Sequence, residues 1–439
     1  MPARHSSGQA CICPPPRRDC VVDVSRLTEN LFREEAGKLV SVLTGIFGIE
    51  RLQLAEDVVQ EALVRAFQTW PYYGAPKNPA AWLTQTAKNI ALDVIRREKR
   101  FREKQPEIEL AMDRWSAGSP DEETPAFDEE IQDDRLRLMF ACCHPSLPIE
   151  AQTALALRTL CGLSAREIAK AFLASDAAIE KRLTRARQKI RDEHIPFEIP
   201  AGSEMTARLD GVLRTLYLLF NEGYKASSGD RLVRADLCHE AIRLAGLLAA
   251  HPAGNQPRTH ALLSLMLLNA ARLPGRIDSD GNILRLAEQD RFTWDGAMIA
   301  RGIRHLGLAA DGDSISEYHL QAAIAMCHCG TGVTNWPDVL SLYDHWQRIN
   351  DSPLIALNRA VALANVEGPA AGLAAIEAIP NRDQLSTYYL FHAVLGDFEA
   401  RQEHFGNAAA HFRRAIQLAE QKSEREFLAR RLAECESRS

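Results

Sequence analysis

Basic side chains are concentrated in one short stretch near the middle of the chain. Over residues 176–191, six Lys or Arg residues stand against two acidic residues, although the net charge of the chain is −6. Ammonium and guanidinium groups on one helix face neutralise backbone phosphates, and a helix fits the DNA major groove. The stretch therefore predicts phosphate binding. A helical hairpin with a solvated basic face is the alternative, because such patterns also arise by chance.

The residues around this stretch predict two short helices with a tight turn between them. Ser164 and Glu167 have the spacing of a capping box for the first helix, and Ser175 is a good N-cap for the second. Apolar residues at helical spacing predict the buried face of the second helix: Ile179, Leu183, Ala186 and Ile190. This arrangement is a helix-turn-helix pattern.

A second basic helix lies earlier in the chain. Seven basic residues stand against three acidic residues over 88–104, at the end of a helix predicted for Ala80–Arg100. The sequence also predicts a helix over Leu54–Trp70 and a loop over Pro71–Pro79. We expect five residues of the Leu54–Trp70 helix to pack inward: Val58, Ala62, Val64, Arg65 and Phe67. Two basic helices in an acidic chain favour binding to one linear polyanion.

Composition limits the classes of protein to which the chain can belong. It has 439 residues, of which 25% are charged, and no two-residue alternation is sustained, so we expect an all-α protein of several domains. No apolar run approaches a membrane span, and the first residues lack the apolar core of a signal peptide. We therefore expect a cytoplasmic protein.

Candidate metal and catalytic groups are sparse. Cys11 and Cys13 with Cys20, and Cys327-His328-Cys329, each lack a second ligand pair at a suitable spacing. The Asp278–Gly281 stretch lacks the glutamate that a calcium loop requires, so we interpret it as a turn. No nucleophile–base set or phosphate loop is present. We expect no metal, no cofactor and no catalytic residues.

The order of these motifs resembles a known family. An E-D-x-V-Q-E helix, an A-W-L-x-x-x-A-x-N-x-x-x-D-x-x-R-R helix, an acidic linker and a helix-turn-helix ending in R-L-x-R-A-R-x-K-I follow one another. This is similar to RNA polymerase sigma factors of the extracytoplasmic-function (ECF) type. The glycine usual in the turn is replaced here by Leu173.

The resemblance implies the following domain organisation. A flexible leader covers residues 1–22, a sigma-2 domain 23–104, an acidic linker 105–132, a sigma-4 helix-turn-helix domain 133–195 and a helical extension 203–439. Stretches such as LYLLFNEGY at 216–224 resemble one ECF subgroup, whose extension is tetratricopeptide-like.

The resemblance also assigns roles to individual residues. Core RNA polymerase would be bound by Asp57, Gln60 and Glu61. The −10 promoter element would meet Asn78, Trp82, Lys88, Asn89, Arg96 and Arg97, although helical spacing favours core packing for Trp82. The −35 element would meet Ser175, Glu180, Lys181, Arg182, Arg185, Arg187 and Lys189, with Arg182, Arg187 and Lys189 on phosphates.

The extension carries a repeat signal. Ala360 and Ala393 stand in matching N-R-A-V and F-H-A-V motifs 33 residues apart, and tetratricopeptide-like repeats are predicted near 350–422. Stacked helix pairs present concave surfaces, so we expect the extension to contact a protein partner or to act on the sigma domains. A passive stabilising module is the alternative.

Two other classes of protein fit parts of the sequence. A helix-turn-helix repressor or activator would combine one DNA-reading domain with a ligand-binding domain, but it has no use for the Ala80–Arg100 helix. An enzyme would need a catalytic set in the extension, and the residues there do not provide one.

Overall fold

The computed structural model describes residues 35–97, 133–172, 174–195, 203–226, 233–278, 283–330 and 333–438. Within these ranges every regular element is helical, apart from one isolated antiparallel bridge between Ile277 and Ile283. The predicted all-α class is confirmed. Among the same residues, no helix is both long enough and apolar enough to cross a membrane.

The chain divides into two compact units. One consists of Met1–Ala165 and Ile179–Pro200, and the other consists of Arg166–Ala178 and Ala201–Ser439. The first helix of the helix-turn-helix therefore groups with the C-terminal extension, whereas most of the second helix groups with the N-terminal helices.

The first unit begins with three described helices. Helix α1 includes residues 35–47, α2 spans Leu52–Tyr73 and α3 spans Pro79–Arg97. A β-carbon placed on Gly37 of α1 would lie 2.1 Å from the carbonyl oxygen of Leu160, so backbones meet directly at this point. Large apolar side chains fill the space between the helices: Leu39, Leu43, Trp70, Leu83 and Ile95.

Helix α2 differs from the prediction in its buried face. Val58 and Ala62 are buried as expected, but Val64 is 46% and Phe67 49% exposed, and Arg65 is also exposed. The buried stripe follows a stricter helical spacing: Ala55, Val58, Val59, Ala62, Ala66 and Trp70. Because 3.6 residues make a turn, a face that includes 58, 64, 65 and 67 is too wide to be buried.

The end of α2 also differs from the prediction. The helix continues through Pro71 to Tyr73 and ends at Gly74, where φ is 80° and the amide donates to the Trp70 carbonyl at 2.9 Å. Proline in the last turn removes a single helical hydrogen bond. The predicted Pro71–Pro79 loop is therefore shorter and consists of residues 74–78.

The remaining helices of the sigma-4 region are short. Helix α4 spans Asp134–Cys142, α5 Ile149–Cys161, α6 Ala165–Ala171 and α7 Asp176–Asp192. The Asp133 carboxylate caps α4 by accepting the amides of Arg135 and Leu136. The predicted helix-turn-helix pair corresponds to α6 and α7, and Leu173 lies outside the described residues.

The second unit continues with the helices of the extension. Helix α8 spans Ser203–Tyr224, α9 Ala235–Ala250, α10 Pro257–Ala270, α11 Gly296–Ala309 and α12 Glu317–Cys329. Helix α10 is buried along almost its whole length. It lies against α11, where the Ser264 hydroxyl donates to the Gly302 carbonyl at 2.8 Å.

The chain ends in six further helices that stack in pairs. Helix α13 spans Trp336–Ile349, α14 Pro353–Val366, α15 Pro369–Glu377, α16 Tyr389–Arg401, α17 Phe405–Leu418 and α18 Lys422–Glu436. Ala360, Ala408, Phe412 and Ala415 are buried, as the repeat pattern near 350–422 predicts. The pairs α14–α15 and α16–α17 follow the two predicted repeats.

Candidate nucleic-acid interface

Helix α7 has one buried face and one basic face. Ile179, Leu183, Ala186 and Ile190 are buried, which confirms the predicted apolar stripe. Glu180, Lys181 and Arg185 are exposed on the other side. The Ser175 hydroxyl accepts the amide of Ala178 at 3.3 Å and so caps the helix. The helix therefore presents basic groups beside its N-terminal turns.

Two other basic residues of α7 have partners within the first unit. The Arg187 guanidinium lies 2.7 Å from the Glu56 carboxylate of α2, which also accepts a hydrogen bond from Thr159. Lys189 donates to the carbonyl of Ser146. Arg182 is half-buried. Phosphate contacts for these residues stay predictions, and in this conformation Arg187 is neutralised by Glu56.

The residues expected at the −10 element lie on and before α3. Asn78 is exposed and its side-chain oxygen accepts the Ala81 amide at 3.0 Å, so it caps α3. The Trp82 ring lies 5.5 Å from that of Trp70 in an edge-on contact and is half-buried, as the core alternative requires. Tyr72 and Tyr73, which the sequence analysis did not single out, are highly exposed beside the loop.

The polar residues further along α3 differ in their exposure and in their hydrogen-bond and ion-pair partners. Lys88 is half-buried, and Asn89 is exposed and accepts a hydrogen bond from Gln85 at 3.1 Å. Arg96 is exposed and lies 3.7 Å from Asp93. The side chain of Arg97 lies outside the described residues. Such exposed pairs contribute little to stability, so Arg96 can exchange its partner for a phosphate at small cost.

The residues expected to bind polymerase form one exposed face of α2. Asp57, Gln60 and Glu61 are all exposed. Asp57 accepts from Gln53 at 2.9 Å, and Glu61 pairs with Arg65 at 3.0 Å. Both partners lie one turn away on the same helix, so this face remains open to a protein partner.

Helix α6 is held by the extension through ion pairs. Glu167 is buried and lies 3.2 Å from Arg234, which lies at the same distance from Glu222 of α8. Lys170 also pairs with Glu420, and the Arg214 guanidinium lies 5.7 Å above the Phe172 ring. The sequence does not predict these contacts, because the partner residues are far apart in the chain.

The cysteines of the described ranges are buried, apart from the half-buried Cys327. Cys142, Cys161 and Cys238 are buried, as expected, and burial raises the pKa of Cys238 to about 12. The Cys329 thiol donates to the Leu268 carbonyl at 3.4 Å. Across the described ranges, no three His, Cys, Asp or Glu side chains are grouped for metal binding.

Two of the weaker sequence motifs lie wholly or mostly outside the described residues. Cys11, Cys13 and Cys20 lie outside the described residues. Of the Asp278–Gly281 stretch, only Asp278 lies within the described residues, so its interpretation as a turn stays a prediction.

Comparison with known proteins gives three family matches. Residues 31–101 match sigma-70 region 2, and residues 137–190 match sigma-70 region 4. Residues 208–310 match a family of unknown function (DUF6596). No solved structure matches the chain significantly.

Relatives match over the whole chain or over its sigma regions. An uncharacterized protein of Rhizobium meliloti is 40% identical over 389 residues, which cover 87% of this chain and 90% of the relative. The ECF RNA polymerase sigma factor SigE of Mycolicibacterium smegmatis is 33% identical over 165 residues, 37% of this chain and 60% of its own. The probable RNA polymerase sigma factor RfaY of Xanthomonas campestris is 32% identical over 141 residues, 32% of this chain and 34% of its own.

The family matches coincide with the helices that carry the basic faces. The residues that match sigma-70 regions 2 and 4 include α2, α3 and most of α7. The similarity to the Rhizobium meliloti protein extends through the helical C-terminal region. The chain therefore belongs to the extracytoplasmic-function sigma factors, in a group that carries a long helical C-terminal extension.

Proposed function

We propose that this sigma factor binds core RNA polymerase through α2, reads the −35 element with α7 and the −10 element with α3 and its preceding loop, and so promotes transcription initiation. The main support for this proposal is the division of α7 into a buried apolar face and an exposed basic face. On α7 the apolar side chains are buried, while Lys181 and Arg185 are exposed near the N-terminal turns. Groups placed there reach base edges when a recognition helix lies in the major groove.

The proposed action involves no covalent chemistry by the protein. Sigma factors are non-enzymatic initiation factors, so we propose no catalytic residue here. Opening a promoter requires a base to leave the stack, which costs a few kcal/mol. A loop that receives the extruded base offsets this cost. Exposed Tyr72 and Tyr73, next to the loop before α3, are suitable stacking surfaces.

The proposed partners follow from this role. They are core RNA polymerase at Asp57, Gln60 and Glu61, and promoter DNA at the basic faces of α3 and α7. Polymerase and chromosome are both in the cytoplasm, so we propose that the protein acts there. No membrane partner is needed for this role.

The direct test is transcription by the reconstituted holoenzyme with Arg185→Ala. We expect promoter binding to weaken by about 1–3 kcal/mol, roughly 5- to 150-fold, while association with core polymerase is unchanged. Arg348→Ala removes an exposed arginine of α13 and is the matched control. Unaltered transcription with Arg185→Ala would contradict the assigned role of α7.

A repressor would give a different result. It binds its operator as tightly without core polymerase as with it, and charge reversal at Glu61 leaves that binding unchanged. For a sigma factor, Glu61→Lys reduces association with core polymerase. Pull-down of the purified core enzyme by the wild type and by Glu61→Lys distinguishes these outcomes.

We further propose that the extension modulates activity by setting the position of α6. Support comes from the buried Glu167, whose charge is neutralised by Arg234 of the extension. A partner that competes for Arg234 would release α6. This role is tested by measuring transcription by core polymerase to which increasing amounts of wild type or Arg234→Gln are added. Activity of Arg234→Gln identical to that of the wild type under all conditions would contradict the proposed role.

A further inference from the structure

Two arginines of the extension stack on one buried tryptophan. The guanidinium carbons of Arg272 and Arg291 lie 5.4 and 4.9 Å from the centre of the Trp294 ring. Arg272 is only 9% exposed and Trp294 only 8%. Arg291 donates to the Gly330 carbonyl at 2.8 Å and to the Thr334 hydroxyl at 3.4 Å, so its protein acceptors are neutral.

Among the described residues, no carboxylate lies within ion-pair distance of either cation. In the part of the chain that the structure describes, neither Arg272 nor Arg291 forms an ion pair, and the buried Nε of Arg272 has no acceptor. The neighbouring carboxylates of Asp290 and Asp295 accept the backbone amides of Phe292 and Met298, each at 2.9 Å. A buried guanidinium without an anion is strongly unfavourable.

A histidine completes the cluster. Burial, and then the positive charges of Arg272 and Arg291, lower the pKa of His328 to about 4. Burial raises the pKa of the neighbouring Cys329 thiol, and the charges of the same two arginines oppose that rise. The Nδ1 atom of His328 is buried and has no hydrogen-bond partner among the described residues. The site is thus positively charged and holds an unused imidazole nitrogen.

We propose that Arg272, Arg291 and His328 bind a small oxyanion, the carboxylate or phosphate group of a ligand. Guanidinium groups present paired donors that match both groups, and stacking on Trp294 fixes their planes. A nine-tenths-buried arginine is out of reach of a duplex backbone, so the ligand is a small molecule rather than DNA. The site lies in the extension and is separate from the promoter-reading helices.

Thermal unfolding of the full-length protein tests the proposal. A ligand that binds only the folded state raises Tm. We expect phosphate, acetate or both, compared with chloride at equal ionic strength, to raise the Tm of the wild type and of the Arg348→Gln control by a few degrees. Arg272→Gln should remove most of this rise. An equal rise in Arg272→Gln, or none in the wild type, would overturn the proposal.

A second measurement uses only the folded wild type and so does not depend on a variant's stability. Bound anion offsets the two arginine charges, so the NMR titration of the His328 ring should move to a higher pKa when phosphate is added. Acetate provides the parallel test for a carboxylate ligand, and whichever anion shifts His328 identifies the class. A His328 titration that neither anion changes would contradict the site.

Discussion

At the scale of single residues, the basic side chains of α7 differ in what neutralises them. Lys181 and Arg185 are exposed, whereas Arg187 is largely buried against Glu56 of α2. An arginine in a part-buried ion pair gives up that partner only for another anion. The exposed basic surface of α7 is therefore narrower than the count of basic residues suggests.

The Glu56 carboxylate should control whether Arg187 can meet a phosphate. Glu56→Gln removes the charge that holds Arg187, so we expect one additional phosphate contact. The slope of log K against log salt for a −35 duplex should then steepen by about 1. Fluorescence anisotropy across a salt series measures this slope.

The double variant Glu56→Gln with Arg187→Ala is the control for that experiment. It should return the slope to the wild-type value. A slope that is the same in Glu56→Gln and wild type would show that Arg187 does not reach DNA.

A histidine pair in the extension predicts a pH dependence of stability. The Nδ1 atoms of His260 and His305 lie 3.0 Å apart. Burial, and then the charges of His260, Arg304 and Arg301, lower the pKa of His305 to about 4. The unfolded chain, with a histidine pKa of about 6.5, therefore binds the proton first. The contribution of His305 to the free energy of unfolding is therefore fully present above about pH 6.5 and is lost as the pH drops toward 4.

The variant His305→Gln should lose less stability over this interval, because it removes a group that titrates only on unfolding. Urea midpoints at pH 7 and pH 5 measure the difference. Parallel pH profiles for wild type and His305→Gln would contradict the assignment.

At the scale of elements, helical spacing predicted some faces well and others poorly. All four apolar positions of α7 are buried, because a short amphipathic helix has one apolar stripe and one register. In α2 the apolar residues surround more of the helix, so Val64 and Phe67 were wrongly placed in the core. Which of several apolar faces is covered depends on the neighbouring helices, and helical spacing does not contain that information.

Close approach of helices in the repeats depends on glycine. A β-carbon on Gly372 of α15 would lie 2.6 Å from Ala364 and 2.7 Å from the Phe398 ring. We expect Gly372→Ala to destabilise the protein by about 1–3 kcal/mol, because the packed neighbours must move. Urea unfolding measures the change.

The matched control lies in α9. A β-carbon on Gly246 would meet nothing within 4 Å. Gly246→Ala should therefore stabilise the protein, by up to about 1 kcal/mol, through helix propensity alone. Equal effects of the two substitutions would mean that the close packing at Gly372 is not the cause.

At the scale of the whole molecule, the extension is an integral part of one unit that includes α6. The ion pair between Arg234 and Glu167 joins residues 67 positions apart, and that between Lys170 and Glu420 joins residues 250 positions apart. Pattern and resemblance predicted the helices of the extension, but a single sequence contains no signal for pairs at such separations.

Arg234 should therefore matter for stability as well as for regulation. Arg234→Gln removes the cation that lies 3.2 Å from both buried carboxylates, Glu167 and Glu222, and breaking such a buried ion pair typically costs about 3–5 kcal/mol. Arg243→Gln, on the helix that follows Arg234 and half-exposed beside Glu240, should cost less than about 1 kcal/mol. Urea unfolding of the two variants tests the difference, and similar midpoints would contradict it.

A sigma factor directs RNA polymerase to promoters, and this is the role that we propose for the chain. The most direct measurement is transcription of fragmented genomic DNA by core polymerase with and without the full-length protein, followed by sequencing of the transcript ends. We expect new discrete start sites, preceded by two shared sequence elements at the −35 and −10 positions. Start sites identical to those of the core enzyme alone would contradict it.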